Sequence, residues 1–300
     1  VVTGSYAYVA DHEAGLRIID ISNPSSPEEV SSFDTPGHAR DVAVAGKLAY
    51  VADGRRGLRV INVANPARPT ATGFQDTPGY ASGVEVAACG AVTCTYAYVA
   101  DYEGGLRVIN ASNPARLWET GHYTTTGYAH DVALSSGPGG HPDFVYVADG
   151  FRGLCTINVS NPVSPTQVSI LDTPGDARKV VAVRSRAYVA DVDGGLRIVG
   201  VDDPADPELA GLYVAPGDAK GLAVPTGTPQ GAAYAYIADG WYGLRIVDIS
   251  TPVAPAHVGF WTSGGDVHGV AVASGNTPDS TYAYLAAYHR GGLYLINVSD

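Results

Sequence analysis

The segment Tyr8-Val9-Ala10-Asp11 (YVAD) decides the fold, because near-copies of it recur along the whole chain. The repeated segments begin at Tyr8, Tyr50, Tyr98, Tyr146, Tyr188, Tyr236 and Tyr284, at intervals of 42 or 48 residues. A fixed period of about 20 to 50 residues is the sequence signature of a repeat architecture. Seven copies of one unit therefore predict seven copies of one structural element.

Each unit contains four short apolar stretches that are separated by glycine, proline, asparagine and aspartate. In the second unit these stretches cover residues 41–44, 48–52, 58–63 and 70–75, and the third alternates apolar and polar residues as a half-buried strand does. No unit shows the helical period of about 3.6 residues, which excludes a helical solenoid. The sequence predicts an all-β fold: a seven-bladed β-propeller of four-stranded antiparallel blades, forming a single domain over residues 1–300.

The first and last blades are expected to be incomplete. Val1-Val2 aligns with the end of an innermost strand, and Asp300 follows a third strand. Two explanations stay open: flanking native residues complete the blade, or a neighbouring chain supplies a strand at this seam. The chain contains no methionine, so residue 1 is not a translation start, and a removed secretory signal is consistent with that.

Charge and hydropathy exclude two classes of partner. The net charge of −12 would repel phosphate backbones, so nucleic-acid binding is not expected. No run of 18 apolar residues occurs, so no membrane span is expected.

The cysteines bear on the cellular compartment. Cys89 and Cys94 flank four residues of one extended hairpin loop and are close enough in sequence to form a disulfide. Such a bridge indicates an oxidising, extracytoplasmic setting. The alternative is a pair of reduced cysteines without functional meaning, and that alternative stays open.

The repeated motifs resemble a known family. The YVAD segments, GLRIIDISNP at residues 15–24 and TPGHARDVAV at residues 35–44 are similar to the LVIVD repeat family and, more distantly, to YVTN-type surface-layer propellers. The resemblance extends over essentially the whole chain. It implies a secreted or cell-surface propeller of bacterial or archaeal type, and it implies no defined activity, because fold alone does not supply one.

One face of the propeller is expected to carry the binding site. The loops that follow the YVAD segments and the turns that close each unit have constant lengths but variable side chains, among them His12, Glu13 and His38. Aromatic, arginine and histidine side chains would gather there around the mouth of the central channel, as in a site for a protein or a glycan. The candidate rim residues are Arg40, Tyr80, Tyr102, Tyr128, His130, Arg178, Trp241, Tyr242, His268 and Tyr288.

Catalytic and metal motifs are absent from the sequence. There is no GxSxG elbow, no P-loop and no HExxH, and His38, His130 and His268, from three separate units, are weak grounds for a metal site. The YVAD aspartates are interpreted as acceptors of hydrogen bonds from a turn. We therefore expect no catalytic residues, no metal and no cofactor. The predicted function is a noncatalytic extracellular or cell-surface interaction or assembly scaffold, and the alternative is a propeller enzyme with its active site at the channel mouth.

Overall fold

The computed structural model describes residues 1–88, 94–135, 142–225, 233–262, 264–274, 280–288 and 292–299. In these residues the regular structure consists of β-strands without any helix, so the predicted all-β fold is confirmed. The strands form seven antiparallel sheets, and within each sheet the strands lie side by side in chain order. The last sheet has three described strands and the other six have four. These sheets are the blades of a seven-bladed β-propeller, as predicted.

The first three blades contain β1 to β12. Blade 1 consists of β1 (Val2–Thr3), β2 (Tyr6–Ala10), β3 (Leu16–Asp20) and β4 (Glu28–Phe33). Blade 2 consists of β5 (Asp41–Ala45), β6 (Leu48–Ala52), β7 (Leu58–Asn62) and β8 (Thr70–Gln75). Blade 3 consists of β9 (Gly83–Ala88), β10 (Thr95–Ala100), β11 (Leu106–Asn110) and β12 (Trp118–Tyr123).

The remaining blades contain β13 to β27. Blade 4 consists of β13 (Asp131–Leu134), β14 (Phe144–Ala148), β15 (Leu154–Asn158) and β16 (Thr166–Leu171). Blade 5 consists of β17 (Lys179–Val183), β18 (Arg186–Ala190), β19 (Leu196–Gly200) and β20 (Glu208–Tyr213). Blade 6 consists of β21 (Gly221–Ala223), β22 (Tyr234–Ala238), β23 (Leu244–Asp248) and β24 (Ala256–Trp261). Blade 7 consists of β25 (Asp266–Ser274), β26 (Thr281–Tyr288) and β27 (Gly292–Asn297).

Backbone contacts divide the chain into two compact units. Unit 1 comprises Val1–Asp149 and Cys155–Val168, and unit 2 comprises Gly150–Leu154 and Ser169–Asp300. Blades 1 to 3 belong to unit 1 and blades 5 to 7 to unit 2, whereas the division runs through blade 4. The single domain expected over residues 1–300 stays a prediction.

Apolar side chains pack between neighbouring blades inside each unit. In unit 1, Tyr50 and Leu58 of blade 2 share a buried cluster with Val84 and Ile109 of blade 3. In five repeats the YVAD tyrosine is packed in such a cluster between two blades of one unit, namely Tyr8, Tyr50, Tyr98, Tyr188 and Tyr236. The fourth strands are more exposed and more polar, which explains their irregular sequence pattern.

The YVAD aspartates join each blade to the turn before it. The Asp101 carboxylate accepts hydrogen bonds from Thr77 Oγ1 at 2.5 Å and from the backbone N–H of Gly79 at 2.8 Å. Nε of Arg107 lies 3.4 Å from the same carboxylate. The corresponding turn bonds recur at Asp53, Asp149 and Asp191. The interpretation of these aspartates as acceptors of turn hydrogen bonds is confirmed.

Candidate functional site

In blades 1 to 6, two loops come together through a short backbone bridge. One is the loop after the second strand, and the other is the turn that closes the repeat and leads to the next blade. In blade 1, the backbone N–H of His12 donates to the carbonyl of Ala39 at 2.9 Å, and the N–H of Ala39 donates back to the carbonyl of His12 at the same distance. Equivalent bridges occur in blades 2 to 6. We call these six assemblies loop pairs 1 to 6, and they carry nearly all of the predicted rim residues.

Loop pair 1 presents two stacked imidazoles. The ring centroids of His12 and His38 are 4.2 Å apart, and the ring planes differ by 25°. His38 Nε2 lies 3.9 Å from a carboxylate oxygen of Glu13. Burial, the neighbouring His38 and the charge of Arg40 lower the pKa of His12, against the opposing effect of Glu13 and Asp11.

Loop pair 2 continues this cluster through Tyr80. The Tyr80 hydroxyl lies 3.3 Å from Nδ1 of His38, and the Arg40 guanidinium lies 5.9 Å from the centre of the tyrosine ring. The ring packs against Gly54, where a β-carbon would approach a ring carbon to 2.9 Å. His12 and Tyr102 hold equivalent positions with a similar positive φ, so the lack of a β-carbon at Gly54 serves mainly to make room for the Tyr80 ring.

Loop pair 3 is an aromatic platform. Tyr102 and Tyr128 stack with centroids 4.5 Å apart and ring planes within 13° of each other. His130 meets Tyr102 edge-on at 5.1 Å. Tyr128 is 39% exposed, so one ring of the stack is available to a ligand.

Loop pairs 4 and 6, both in unit 2, differ in character. In loop pair 4, Arg178 donates to the Asp176 carboxylate at 2.7 Å. In loop pair 6, Trp241 and Tyr242 are 59% and 49% exposed, and Arg245 lies 5.8 Å from the centre of the Tyr242 ring. The loop that follows β22 therefore offers two adjacent exposed aromatic rings.

A charged cluster lies beside loop pair 6. Lys220 Nζ donates to both carboxylate oxygens of Asp266 at 2.8 and 2.9 Å, and it lies 3.4 Å from Nε2 of His268. Burial acts to raise the pKa of Asp266, but hydrogen bonds from Lys220 and His268 and their charges outweigh it, so the pKa is lowered. The ring of His268 lies 5.9 Å from that of Tyr288, which is 52% exposed.

The structure thus groups the sequence-predicted residues into smaller sets. It brings together Arg40 with Tyr80, Tyr102 with Tyr128 and His130, Trp241 with Tyr242, and His268 with Tyr288. Arg178, by contrast, contacts the carboxylate of its own turn. The pairing of His12 with His38 was not predicted from the sequence. The pair could have been found from its position in the repeat. The residue after the YVAD aspartate forms a backbone bridge to the closing turn in blades 1 to 6, so His12 lies beside His38.

The predicted disulfide involves a residue outside the described part of the chain. Cys89 lies between the described ranges 1–88 and 94–135, so a bridge to Cys94 stays a prediction. Cys155 is a free cysteine and is fully buried. In the described ranges, no helix has the length and hydropathy of a membrane span.

Comparison with known families supports the prediction of a repeated unit. The LVIVD repeat profile matches six consecutive segments, at residues 1–35, 36–77, 78–125, 126–173, 174–215 and 216–262. No protein of curated function shows significant sequence similarity to the chain.

Solved structures share the fold at low sequence identity. A periplasmic gluconolactonase from Pseudomonas aeruginosa is 12% identical, with a TM-score of 0.73, and the superposition covers 98% of this chain and 95% of the gluconolactonase chain. The β-propeller domain of Cps50 (Swd1) from Myceliophteria thermophila is 9% identical with a TM-score of 0.69, covering 99% and 98%. A functionally unknown protein from Desulfotomaculum acetoxidans is 15% identical with a TM-score of 0.69, covering 88% and 84%. At these identities the likeness supports the propeller fold and no particular activity.

Proposed function

The chain belongs to the LVIVD repeat family, and from this premise we propose that it is a noncatalytic, extracellular or cell-surface interaction module. It binds a protein or a glycan through aromatic side chains of its loop pairs. The observation that carries the proposal is the exposed pair Trp241 and Tyr242 in loop pair 6. The loop that presents them is held by the bridge between Gly240 and Val267, so little ordering is required on binding.

The chemistry of the loop pairs supports this assignment. Aromatic rings supply a large contact area at a low cost in side-chain entropy, and they stack on sugar rings or fill pockets of a protein partner. The platform of Tyr102 and Tyr128 offers a second surface of the same kind in unit 1. Charged groups such as Arg178 and Lys220 would then orient a polar ligand.

Alanine substitutions test the proposal. We expect the variants Trp241→Ala, Tyr242→Ala and Tyr128→Ala to lower retention of oligosaccharides on a defined glycan array, or of isolated cell-envelope proteins, by tenfold or more. A tenfold change in affinity corresponds to about 1.4 kcal/mol of binding free energy. The matched controls are Phe74→Ala and Phe260→Ala, because both rings are 61% exposed but lie on the fourth strands β8 and β24. Unchanged binding by all three loop variants would contradict the proposal.

A propeller enzyme is the second candidate. The observation that favours it is the cluster of Lys220, Asp266 and His268, which places acid, base and charge groups within hydrogen-bonding distance. Purified protein incubated with lactones, including the gluconolactone implied by the Pseudomonas structure, and with ester and glycoside substrates tests this alternative. Turnover that is abolished by Lys220→Met, His268→Ala, His130→Ala or Arg178→Ala would replace the noncatalytic assignment.

A further inference from the structure

Three side chains capable of binding a metal converge in loop pair 1. His12, Glu13 and His38 each present a ligand atom, and these atoms all lie within 4.8 Å of one another. We propose that these three residues bind a divalent transition metal ion of the zinc class. Two imidazoles and one carboxylate form a donor set that suits Zn²⁺, and three protein ligands leave one coordination position open to water or to a ligand.

Binding of an ion requires the stack of the two imidazoles to open and the Glu13 side chain to close. Ligand atoms about 2.0 to 2.2 Å from a tetrahedral Zn²⁺ lie roughly 3.3 Å from one another. His38 Nε2 is already 3.9 Å from Glu13 Oε1, and the stacked rings hold the two imidazoles 4.2 Å apart. An ion lies in the plane of each imidazole that binds it, whereas the two ring planes differ by only 25°, so the His12 ring must rotate out of the stack while Tyr80 holds His38. The Glu13 side chain is 82% exposed and is free to rotate towards the same point.

The second nitrogen of His38 is already engaged. Nδ1 faces the Tyr80 hydroxyl at 3.3 Å, which leaves Nε2, the nitrogen nearer Glu13, for the ion. Metal-binding histidines generally use their second ring nitrogen in this way, since the hydrogen bond fixes both the tautomer and the ring orientation. Tyr80 thus acts as a positioning residue for the site.

Charged side chains around the cluster affect how readily it binds a cation. Metal ligands bind in their deprotonated form, so binding of an ion competes with protons. The carboxylates of Glu13 and Asp11 offset the positive charge of Arg40 near the ion.

Loop pair 3 shows that the histidines are not needed for packing. It has Tyr102, Glu103 and Tyr128 in the three positions that His12, Glu13 and His38 occupy in loop pair 1. The tyrosine rings stack 4.5 Å apart, almost as the imidazoles do. Tyr102 has a φ of 53° and His12 has a φ of 49°, so the backbones match as well. The blade therefore tolerates tyrosine at both positions, and histidine adds metal-binding nitrogens to an otherwise equivalent stack.

Metal titration of the untagged protein tests the site. We expect isothermal titration with Zn²⁺ to show one equivalent bound, with an affinity that the variants below lower, and Co²⁺ substitution to show the strong visible absorption of a four- or five-coordinate site. The double variant His12→Tyr, His38→Tyr copies loop pair 3 and should lower the affinity at least a hundredfold. Glu13→Gln should weaken binding at least tenfold, and Tyr80→Phe about tenfold because it acts only through His38.

Controls separate a specific site from adventitious binding. His122→Ala removes an exposed histidine that lies 2.9 Å from Glu119, and it should leave the zinc affinity unchanged. Circular dichroism and the urea midpoint establish that the double variant is folded. Absence of Zn²⁺ binding to the wild-type protein up to millimolar ion, or equal binding by the folded double variant, would overturn the proposal.

Discussion

Single buried aspartates set the contact between one blade and the next. Asp101 is fully buried, and burial raises the pKa of its carboxyl group, while the hydrogen bonds from Thr77 and Gly79 and the charge of Arg107 act in the opposite direction. A buried carboxylate is costly unless such partners satisfy it. The threonine hydroxyl is therefore expected to be a measurable contributor to stability.

Thr77→Val removes that hydroxyl while nearly preserving the volume of the side chain. We expect the free energy of unfolding to fall by about 1 to 3 kcal/mol, because a buried carboxylate oxygen loses its donor. The opposite substitution, which adds a hydroxyl, can be made in the turn before blade 6. Ala215 occupies the threonine position there, and Asp239 still accepts a hydrogen bond from the backbone N–H of Gly217. Ala215→Thr should raise the unfolding free energy by about 0.5 to 1.5 kcal/mol. Urea denaturation followed by circular dichroism measures both, and equal midpoints for Thr77→Val and wild type would contradict the assignment.

Residue patterns predicted the role of these aspartates but not their partners. The position of Asp101 at the end of a strand indicated an acceptor of turn hydrogen bonds. Sequence alone did not indicate that the turn belongs to the preceding blade, because that depends on how consecutive blades pack. The same limit applies to His12 and His38, which are 26 positions apart and meet only through the bridge to Ala39.

At the scale of strands, the third and fourth strands of a blade pair with one register shift. The shift falls between Val60 and Ile61 in blade 2 and between Ile198 and Val199 in blade 5. Opposite this shift the fourth strand approaches the Asn-Pro or related turn of the next blade. Ser31 Oγ donates to the carbonyl of Pro66 at 2.5 Å, and Ser169 Oγ donates to that of Pro204 at 2.7 Å. Blades 2, 3, 5 and 6 place glycine at the equivalent position.

Two glycines of unit 2 test the importance of this close approach. A β-carbon at Gly211 in β20 would lie 1.8 Å from the carbonyl oxygen of Pro252, while one at Gly259 in β24 would meet, among the described residues, only Ile246 at 3.7 Å. We expect Gly211→Ala to lower the free energy of unfolding by about 1 to 3 kcal/mol through overpacking. Gly259→Ala is the matched control and should be neutral or stabilising by about 0.4 to 1 kcal/mol. Equal effects of the two substitutions in urea denaturation would show that the approach to the turn does not limit stability.

The strand pattern itself was predictable because each blade repeats the same local chemistry. Alternation in β7 and the turn residues around it specify a strand without reference to the rest of the molecule. The register shift was not predictable in this way, because it lies where a turn of the next blade approaches Gly73, and that packing is not visible in the sequence of one blade.

At the scale of the whole molecule, the remaining question is the compartment in which the chain folds. The expected disulfide between Cys89 and Cys94 indicates an oxidising setting, and Cys155 supplies an internal reference. Burial, followed by the charge of Asp149, raises the pKa of the Cys155 thiol to about 12. A thiol that is both buried and protonated does not react with reagents until the protein unfolds.

Thiol counting on protein secreted to the periplasm of an expression host tests the compartment. We expect no reactive thiol in the native protein and one in the denatured, unreduced protein, because only Cys155 is then free. Reduction should raise the count to three, the number of cysteines in the chain. In the variant Cys155→Ser the denatured, unreduced count should fall to none, which assigns the single thiol to that position. Three thiols in the denatured, unreduced wild-type protein would contradict the disulfide and would remove the covalent argument for an extracytoplasmic location.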